Sequence, residues 1–331
     1  MKKSELINKC IKDIPVLAMS LLPTPVQRLN NMSARLGTDL YCKRDDLTAF
    51  AFGGNKTRKL DYLLSDAIAT GYDSLISFGA IQSNWCRMTS TAGRVNGLDV
   101  FLVLAGSEPE KYTANLMLDK MAGADITFID SNDREDIMQE VNRKTLELKE
   151  LGRRPYYMPV GGSVARGSVG YIRAMAEILE YSEASGNDFD DIILASGSAG
   201  TQAGLIAGQL ISGWGGRITG MAVSRDKAAQ QQKVFQIAKD SLDLIGYGYD
   251  EESVRTLIHI DDDYLGGGYR MITPACRSAI EDFAHYEGIF LDGVYTGKAA
   301  AGLIDYAGRG LFPEGRKVLF IHTGGNIQLF E

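Results

Sequence analysis

At 331 residues, with 45% hydrophobic and 23% charged side chains, the chain can bury a large core and has room for two domains or one large α/β unit. A net charge of −7 argues against a surface for nucleic acid or an anionic membrane, because either needs clustered lysine and arginine. Cys10, Cys42, Cys86 and Cys276 are widely spaced, with no CxxC and no nearby histidine, which argues against zinc and a disulfide framework and reads as reduced thiols in a cytoplasmic protein.

From the N-terminus, "MKKSELINKCIKDIPVLAMSLLPTP" starts with lysines, but its apolar stretch is short and broken by prolines. It lacks a signal-peptide h-region, and no stretch reaches transmembrane length. "YCKRDDLT" follows, where Asp45 and Asp46 read as a solvated or helix-capping pair. Next, "FGGNKTRKLDYLL" (52–64) sets Lys56 between two glycines and the first turn of a helix. Leu60, Leu63, Leu64, Ala67 and Ile68 then recur on one apolar face. By itself Lys56 is either a surface charge or a lysine held for chemistry. A strand at 73–78 leads into "SFGAIQSNWCRM" (77–88), where Gln82, Ser83 and Asn84 suit a substrate carboxylate at a helix start. Taken alone, the loop is better read as a plain N-cap from Ser83 or Asn84.

Strands at 99–105, 125–130 and 154–160 follow, and "NRKTLELKELGRR" (142–154) reads as the outer face of an amphipathic helix. After "PVGGSVARGSVGY", a second series opens with a strand at 191–196 and the loop "ASGSAGTQAGL" (195–205). Gly197, Ser198, Ala199, Gly200 and Thr201 let backbone N–H groups approach an anion at a helix N-terminus, which makes a phosphate cradle. The loop lacks the P-loop lysine and fails the dinucleotide fingerprint. A tight βα turn without a ligand is the alternative, and a nicotinamide enzyme with Arg225 after the next strand (217–223) is another. "YLGGGYRMITP" (264–274) and "LDGVYTGKAAAGL" (291–303) bring Tyr269 and Tyr295 beside glycines. The strand at 317–323 ends in "IHTGGN", with Thr323 before two glycines. His259, His285 and His322 form no metal-ligand spacing and read as structural, so no metal is expected.

Alternation of strand and helix from end to end implies βαβ units and parallel sheets covered by helices. Two open, twisted, mostly parallel sheets are expected: a small domain over 51–162, and a large one over 1–50 and 163–331, with the ligand in the cleft between them.

Taken in order, "KRDDLTAFAFGGNKTRKL", "GAIQSN", "PVGGS", "ASGSAGTQAGL", "VYTGKAAAGLID" and "FIHTGG" resemble the D-cysteine desulfhydrase and aminocyclopropane-carboxylate deaminase family. These are pyridoxal-phosphate enzymes of fold type II, the tryptophan-synthase-β-like group. The resemblance runs from "PTPVQRL" (23–29) to the C-terminus. It implies pyridoxal 5′-phosphate as cofactor, a small amino acid as substrate and a homodimer. Lys56 then matches the Schiff-base lysine that shuttles the α-proton. Residues 197–201 match the phosphate cradle, with Lys59 as an added phosphate contact. Asn84 matches the residue beside the phenolic oxygen, Ser83 the hydroxyl facing the substrate, and Tyr269 with Tyr295 the active-site tyrosines. Thr323, with Thr296 nearby, matches the group at the pyridine nitrogen.

A Schiff-base lysine must be neutral to attack, so burial or cationic neighbours must lower its pKa, and Arg58 and Lys59 stand close in sequence. A neutral threonine at the ring nitrogen makes a weaker electron sink than a protonated ring, which favours loss of a β-leaving group. The deaminase branch has glutamate where this chain has Thr296. Elimination to pyruvate, ammonia and sulfide is therefore expected. Three departures bear on substrate: Trp85 replaces a histidine, Arg270 follows Tyr269, and Gly293 replaces a proline. An arginine in the site suits a second anionic group, as in L-cysteate; an arginine pointing to solvent is the alternative.

Overall fold

The computed structural model describes residues 1–331. The chain runs α1 (Lys3–Ile11), β1 (Val26–Arg28), α2 (Asn30–Leu36), β2 (Asp39–Lys43), α3 (Asn55–Ala69), β3 (Ser74–Ala80), α4 (Asn84–Val95) and β4 (Asp99–Ala105). It continues through α5 (Ala114–Met121), β5 (Asp125–Ile129), α6 (Arg134–Glu150), β6 (Pro155–Met158), α7 (Ala165–Ser185), β7 (Asp191–Ser196), α8 (Gly200–Ser212) and β8 (Arg217–Ala222). The last elements are α9 (Lys227–Leu244), α10 (Glu251–Thr256), β9 (His259–Asp261), α11 (Pro274–Glu287), α12 (Thr296–Gly308), β10 (Lys317–Ile321) and a 3-10 turn over Asn326–Phe330.

The strands form two sheets, of order β5-β4-β3-β6 and β1-β2-β10-β7-β8-β9. Every pairing is parallel except β1 with β2. Helices cover both faces of each sheet, so a central strand such as β7, "DIILAS", is buried at every residue. On the larger sheet one core gathers α1, α7, α8 and α9, and a second core on the other face gathers α2, α11 and α12. On the smaller sheet α3, α4 and α5 lie on one face and α6 on the other. Helix α7 packs tightly on α8 because Gly204 leaves room: a Cβ there would lie 2.3 Å from the Ser168 carbonyl oxygen. No helix is long and apolar enough to cross a membrane.

In both sheets strand order reverses beside a central strand. The larger sheet runs from β7 to β8 and β9 on one side and to β10 on the other; the smaller runs from β3 to β4 and β5 on one side and to β6 on the other. Loops leaving strands at such points cannot lie over the same edge, so they part and open a crevice. The four loops after β3, β6, β7 and β10 all reach one cleft.

Three strands go beyond those expected. β1 and β9 have three residues each, too few for a period to show. β2, "DLYCK", ends in Lys43, which looks like a surface residue but lies buried with its Nζ donating to Glu177 Oε2 at 3.0 Å. Asp45 and Asp46 are not a solvated pair. Both are buried: Asp45 receives Arg58 Nε and Nη2 at 2.9 Å, and Asp46 receives Arg44 Nε at 2.9 Å. On α3, Ile68 departs from the expected apolar face and stands 41% exposed.

Candidate active site

The cleft holds about 860 Å3 of empty space, open mouth included. Its lysine stands at the second residue of α3. The helix starts where it does because Gly53 and Gly54 take φ of 69° and 119°, and at Gly53 a Cβ would fall 1.8 Å from the Asp46 carbonyl oxygen. The amide of Asn55 donates to the Thr323 carbonyl at 3.0 Å, which butts the helix start against the end of β10. Lys56 Nζ donates to Asn55 Oδ1 at 2.8 Å and lies 5.9 Å from the Tyr295 ring centroid. Burial pulls the Lys56 amine down to about 8; Arg87 adds to that fall and Asp292 opposes it.

The cations near Lys56 in sequence do not do this work. Arg58 turns away and is buried against Glu177 and Asp45, with Nη1 to Glu177 Oε1 at 2.8 Å. Lys59 Nζ donates to the Gly161 carbonyl at 3.0 Å and to Ser163 Oγ at 3.3 Å, behind the cleft wall. Its burial, with Lys56 and Lys233 nearby, holds its pKa well below the ordinary lysine value.

At the other end of the cleft, α8 begins at Gly200 after a left-handed Ala199 (φ 78°). The amides of Ser198 and Ala199, and that of Thr201 in the first turn, have no acceptor in the protein, as expected of a helix start left for an anion. The Gly200 amide is taken by Ser163 Oγ at 3.2 Å, and Ser163 Oγ also donates to Ser198 Oγ at 2.7 Å. Asn55 Nδ2 donates to Thr201 Oγ1 at 3.0 Å, so one asparagine links the lysine to the cradle. Arg225 reaches the same loop, but from outside, donating to the Gly197 carbonyl at 2.8 Å.

Between lysine and cradle, Asn84 lines the cleft with a buried Oδ1 that has no partner. Ser83 also lines it and caps α4, accepting from the Cys86 amide at 3.2 Å. Thr323 closes the far end, 7% exposed. At the mouth Tyr269 and Tyr295 share a hydrogen bond of 2.7 Å with their rings edge to face. Burial and the neighbouring Tyr269 raise the Tyr295 hydroxyl well above its ordinary value, so it keeps its proton.

Gln82, Arg270 and Thr296, all expected at the site, lie outside the cleft, while Trp85 lines it. Gln82 turns from the cleft to α5, donating to the Thr113 carbonyl at 3.2 Å and accepting from the Asn115 amide at 2.9 Å. Trp85 forms cleft wall, but its indole N–H is spent on Ser77 Oγ at 2.8 Å. Arg270 leaves the cleft and pairs with Glu331. Thr296 is buried behind the wall, its hydroxyl donating to Asp292 Oδ1 at 2.7 Å. Four residues that the sequence reading passed over sit here: Asn55, Arg87, Ser163 and Asp292. Asp292 shapes the Tyr295 turn by accepting the amides of Val294, Tyr295 and Thr296 at 2.7, 2.8 and 2.9 Å. Arg87 was findable, because it follows Asn84 by three residues and a helix puts both on one face. The other three had no periodic signal.

The donor set fits a phosphate-bearing aldehyde: free amides at a helix start, an unpartnered asparagine oxygen midway, and a lysine able to lose its proton. A family model described as "Pyridoxal-phosphate dependent enzyme" matches residues 17–324. A protein of Pyrococcus furiosus named "Putative 1-aminocyclopropane-1-carboxylate deaminase" is 42% identical over 96% of this chain and 94% of its own. The D-cysteine desulfhydrase of Serratia proteamaculans is 39% identical over 98% of both chains. A crystal structure of an ACC deaminase homologue superposes with a TM-score of 0.88 at 39% identity, covering 98% of this chain and 96% of that one.

Proposed function

The chain belongs to the pyridoxal-phosphate dependent enzymes, and from that premise we propose that it is a carbon–sulfur lyase that eliminates the β-group of a small amino acid, D-cysteine first among them. The balance is one amino acid and one water to pyruvate, ammonia and the expelled group: Cα–H and Cβ–S break, the Cα–Cβ double bond forms, and hydrolysis follows. Bound in the cleft, pyridoxal phosphate supplies a conjugated ring that accepts the negative charge left at Cα.

The protein does the rest. The amides of Ser198, Ala199 and Thr201 hold the phosphate, helped by the dipole of α8. Asn84 would hold the ring oxygen, and Thr323 would offer a neutral hydroxyl to the ring nitrogen. Lys56, neutral above about pH 8, takes the proton from Cα. Tyr269 and Tyr295 hold a proton where the leaving group departs. Ser83 and the start of α4 receive the substrate carboxylate.

The observation that carries elimination over ring opening is the absence of a free carboxylate at the Thr323 end. Asp292 is near, but its oxygens are occupied by three amides and the Thr296 hydroxyl. That leaves the deaminase activity named for several relatives as the weaker reading. A nicotinamide cofactor on the 195–205 loop would leave Lys56 and both tyrosines without a task. The second reading is L-cysteate with loss of sulfite, and it requires Arg270 to give up Glu331. Pyruvate release measured across D-cysteine, L-cysteine, L-cysteate, D-serine and the cyclopropane amino acid is expected to be fastest with D-cysteine. Arg270→Ala is expected to leave every one of those rates unchanged; loss of L-cysteate turnover alone would favour the second reading. No release from any of them would sink the proposal.

Ser163 ties the cradle together, so Ser163→Ala strands the Gly200 amide and leaves Lys59 with the Gly161 carbonyl alone. It is expected to weaken cofactor retention roughly tenfold, read by equilibrium dialysis. The chain is also proposed to pair as a homodimer in the cytoplasm. Met271, Ile272 and Phe330 are 57%, 49% and 75% exposed beside the Tyr269 loop and the C-terminal turn, an apolar surface of the kind that partner subunits cover. All four cysteines are unpaired, as in a reducing compartment.

A further inference from the structure

Arg87 is unlike Arg58, the other buried arginine of the molecule. It is 2% exposed, lines the cleft on α4 one turn past Asn84, and forms no ion pair. Buried guanidinium groups are normally paired with carboxylates. This one donates instead to two backbone carbonyls, Nη1 to Ala51 at 2.6 Å and Nη2 to Gly53 at 3.5 Å, and its Nε is buried with no partner.

Those carbonyls belong to an unusual stretch of backbone. Ala49, Ala51 and Phe52 take φ of 65°, 46° and 65°, and Gly53 and Gly54 follow at 69° and 119°. Left-handed conformations are uphill for residues with a Cβ, and a run of them persists only where the surroundings hold it. The loop's ends are tied: the Phe50 amide donates to the Thr48 carbonyl at 2.9 Å, and the Gly54 amide to Asp45 at 3.0 Å. Its middle is tied by Arg87. Lys56 is two residues beyond Gly54, so the course of this loop sets where the lysine begins its helix.

The charges around Lys56 leave Arg87 a second effect. Asp292 opposes it from the loop before α12. Tyr269 and Tyr295 face the lysine in protonated form. On its own helix Arg58 is neutralised by Asp45 and Glu177, and Lys59 is engaged behind the wall. His322, under the end of β10, is held neutral by burial. On the far side of Arg87 stands Asp119 of α5, buried, with Oδ1 accepting from Ser90 Oγ at 2.6 Å and Oδ2 unpartnered; burial pushes it up to about 7, so it offsets the guanidinium only in part.

We propose that Arg87 readies Lys56: it pins the left-handed 49–54 loop and stands in the same cleft as an unpaired positive charge, which favours the neutral amine that attacks the cofactor. Arg87 is a positioning residue in this account, which rests on the reading of Lys56 as the lysine that joins the cofactor.

The test is reductive trapping of Lys56 in the full chain freed of cofactor, using added pyridoxal phosphate and cyanoborohydride, followed by peptide mass against pH. In the unaltered protein the midpoint is expected near 8. Arg87→Met is expected to raise it by about one unit, which slows trapping at neutral pH about tenfold. Arg87→Lys keeps the charge but loses the two-carbonyl grip, so the midpoint stays while proteolytic nicking within 49–54 rises several-fold. An unmoved midpoint in Arg87→Met, or one that moves equally in Arg87→Lys, overturns the proposal. Should Arg87→Met fail to fold, Asp119→Asn decides: removing the opposing carboxylate must lower the midpoint, and an unchanged or raised one overturns the proposal. If the unaltered protein is not labelled at Lys56, the function proposed above fails instead, so the two failures are distinct.

Discussion

Lys56→Ala is expected to abolish the borohydride-sensitive visible absorption of the cofactor-loaded protein and to lower pyruvate release by at least about 10^3-fold. The size follows from the two tasks that meet on one amine. It must bond to the cofactor, and it must move the proton at Cα. No neighbour can substitute. Lys59 is the nearest other lysine in sequence, but its Nζ is fixed to Gly161 and Ser163 behind the wall. The surviving cradle should still retain phosphate, so the variant is expected to bind pyridoxal phosphate reversibly, without the absorption change, as dialysis with cofactor quantitation would show. In the cofactor-free chain the same amine sets the pH dependence of cofactor capture. Its pKa is lowered from the ordinary lysine value to about 8, so the reactive neutral form prevails above that pH and is lost as pH falls through it. A Lys56→Ala variant that keeps the absorption band would place the bond on another lysine.

Arg58→Leu is expected to cost about 3–5 kcal/mol of stability, the range for removing one partner of a buried ion cluster. Arg58 holds Asp45 through Nε and Nη2 and Glu177 through Nη1 and Nη2, while Lys43 and the Tyr171 hydroxyl complete the cluster at 3.0 and 2.6 Å. Without the guanidinium two buried carboxylates share one lysine. The sign with pH can be worked out. Burial alone would raise Asp45, but Arg58, with Lys43, holds it at about 2, below its unfolded value, and Glu177 is lowered too. Their contribution is therefore present above the ordinary carboxylate pKa and lost as pH falls through the depressed values. In Arg58→Leu both carboxylates become easier to protonate than in the unfolded chain. The deficit is expected to be full at neutral pH and to narrow below about pH 4, as urea midpoints measured at several pH values would show. A constant deficit would assign the loss to packing rather than charge.

The same pair of residues shows how far the sequence could be read. Strands β3, β4, β5, β6, β7, β8 and β10 and the helix after Lys56 were legible because sheets covered on both faces demand continuous apolar runs, and helices demand a 3.6 period. The cradle was legible because small residues after a strand and before a helix have few other uses. Trp85, Gln82 and Arg270 were not. Gln82 stands in a loop after a strand and the other two where this chain departs from the resembled pattern, yet Trp85, although it lines the cleft, spends its N–H on Ser77, Gln82 bonds α5, and Arg270 pairs with Glu331. Loop position constrains where a backbone goes but not which of several reachable partners a long side chain takes.

The amino-acid sequence by itself determined the alternation that makes two parallel sheets, the lysine at a helix start and the glycine-rich loops, because these depend on residues within a few positions of one another. Tertiary structure alone decided what charges the lysine feels. Arg58 stands two residues from Lys56 but is drawn off by Glu177, 119 residues further on, while Arg87 arrives from another helix to take its place. Electrostatic neighbours are set by distance through space, and a helix turns adjacent side chains about 100° apart, so closeness along the chain carries little information about closeness of charge.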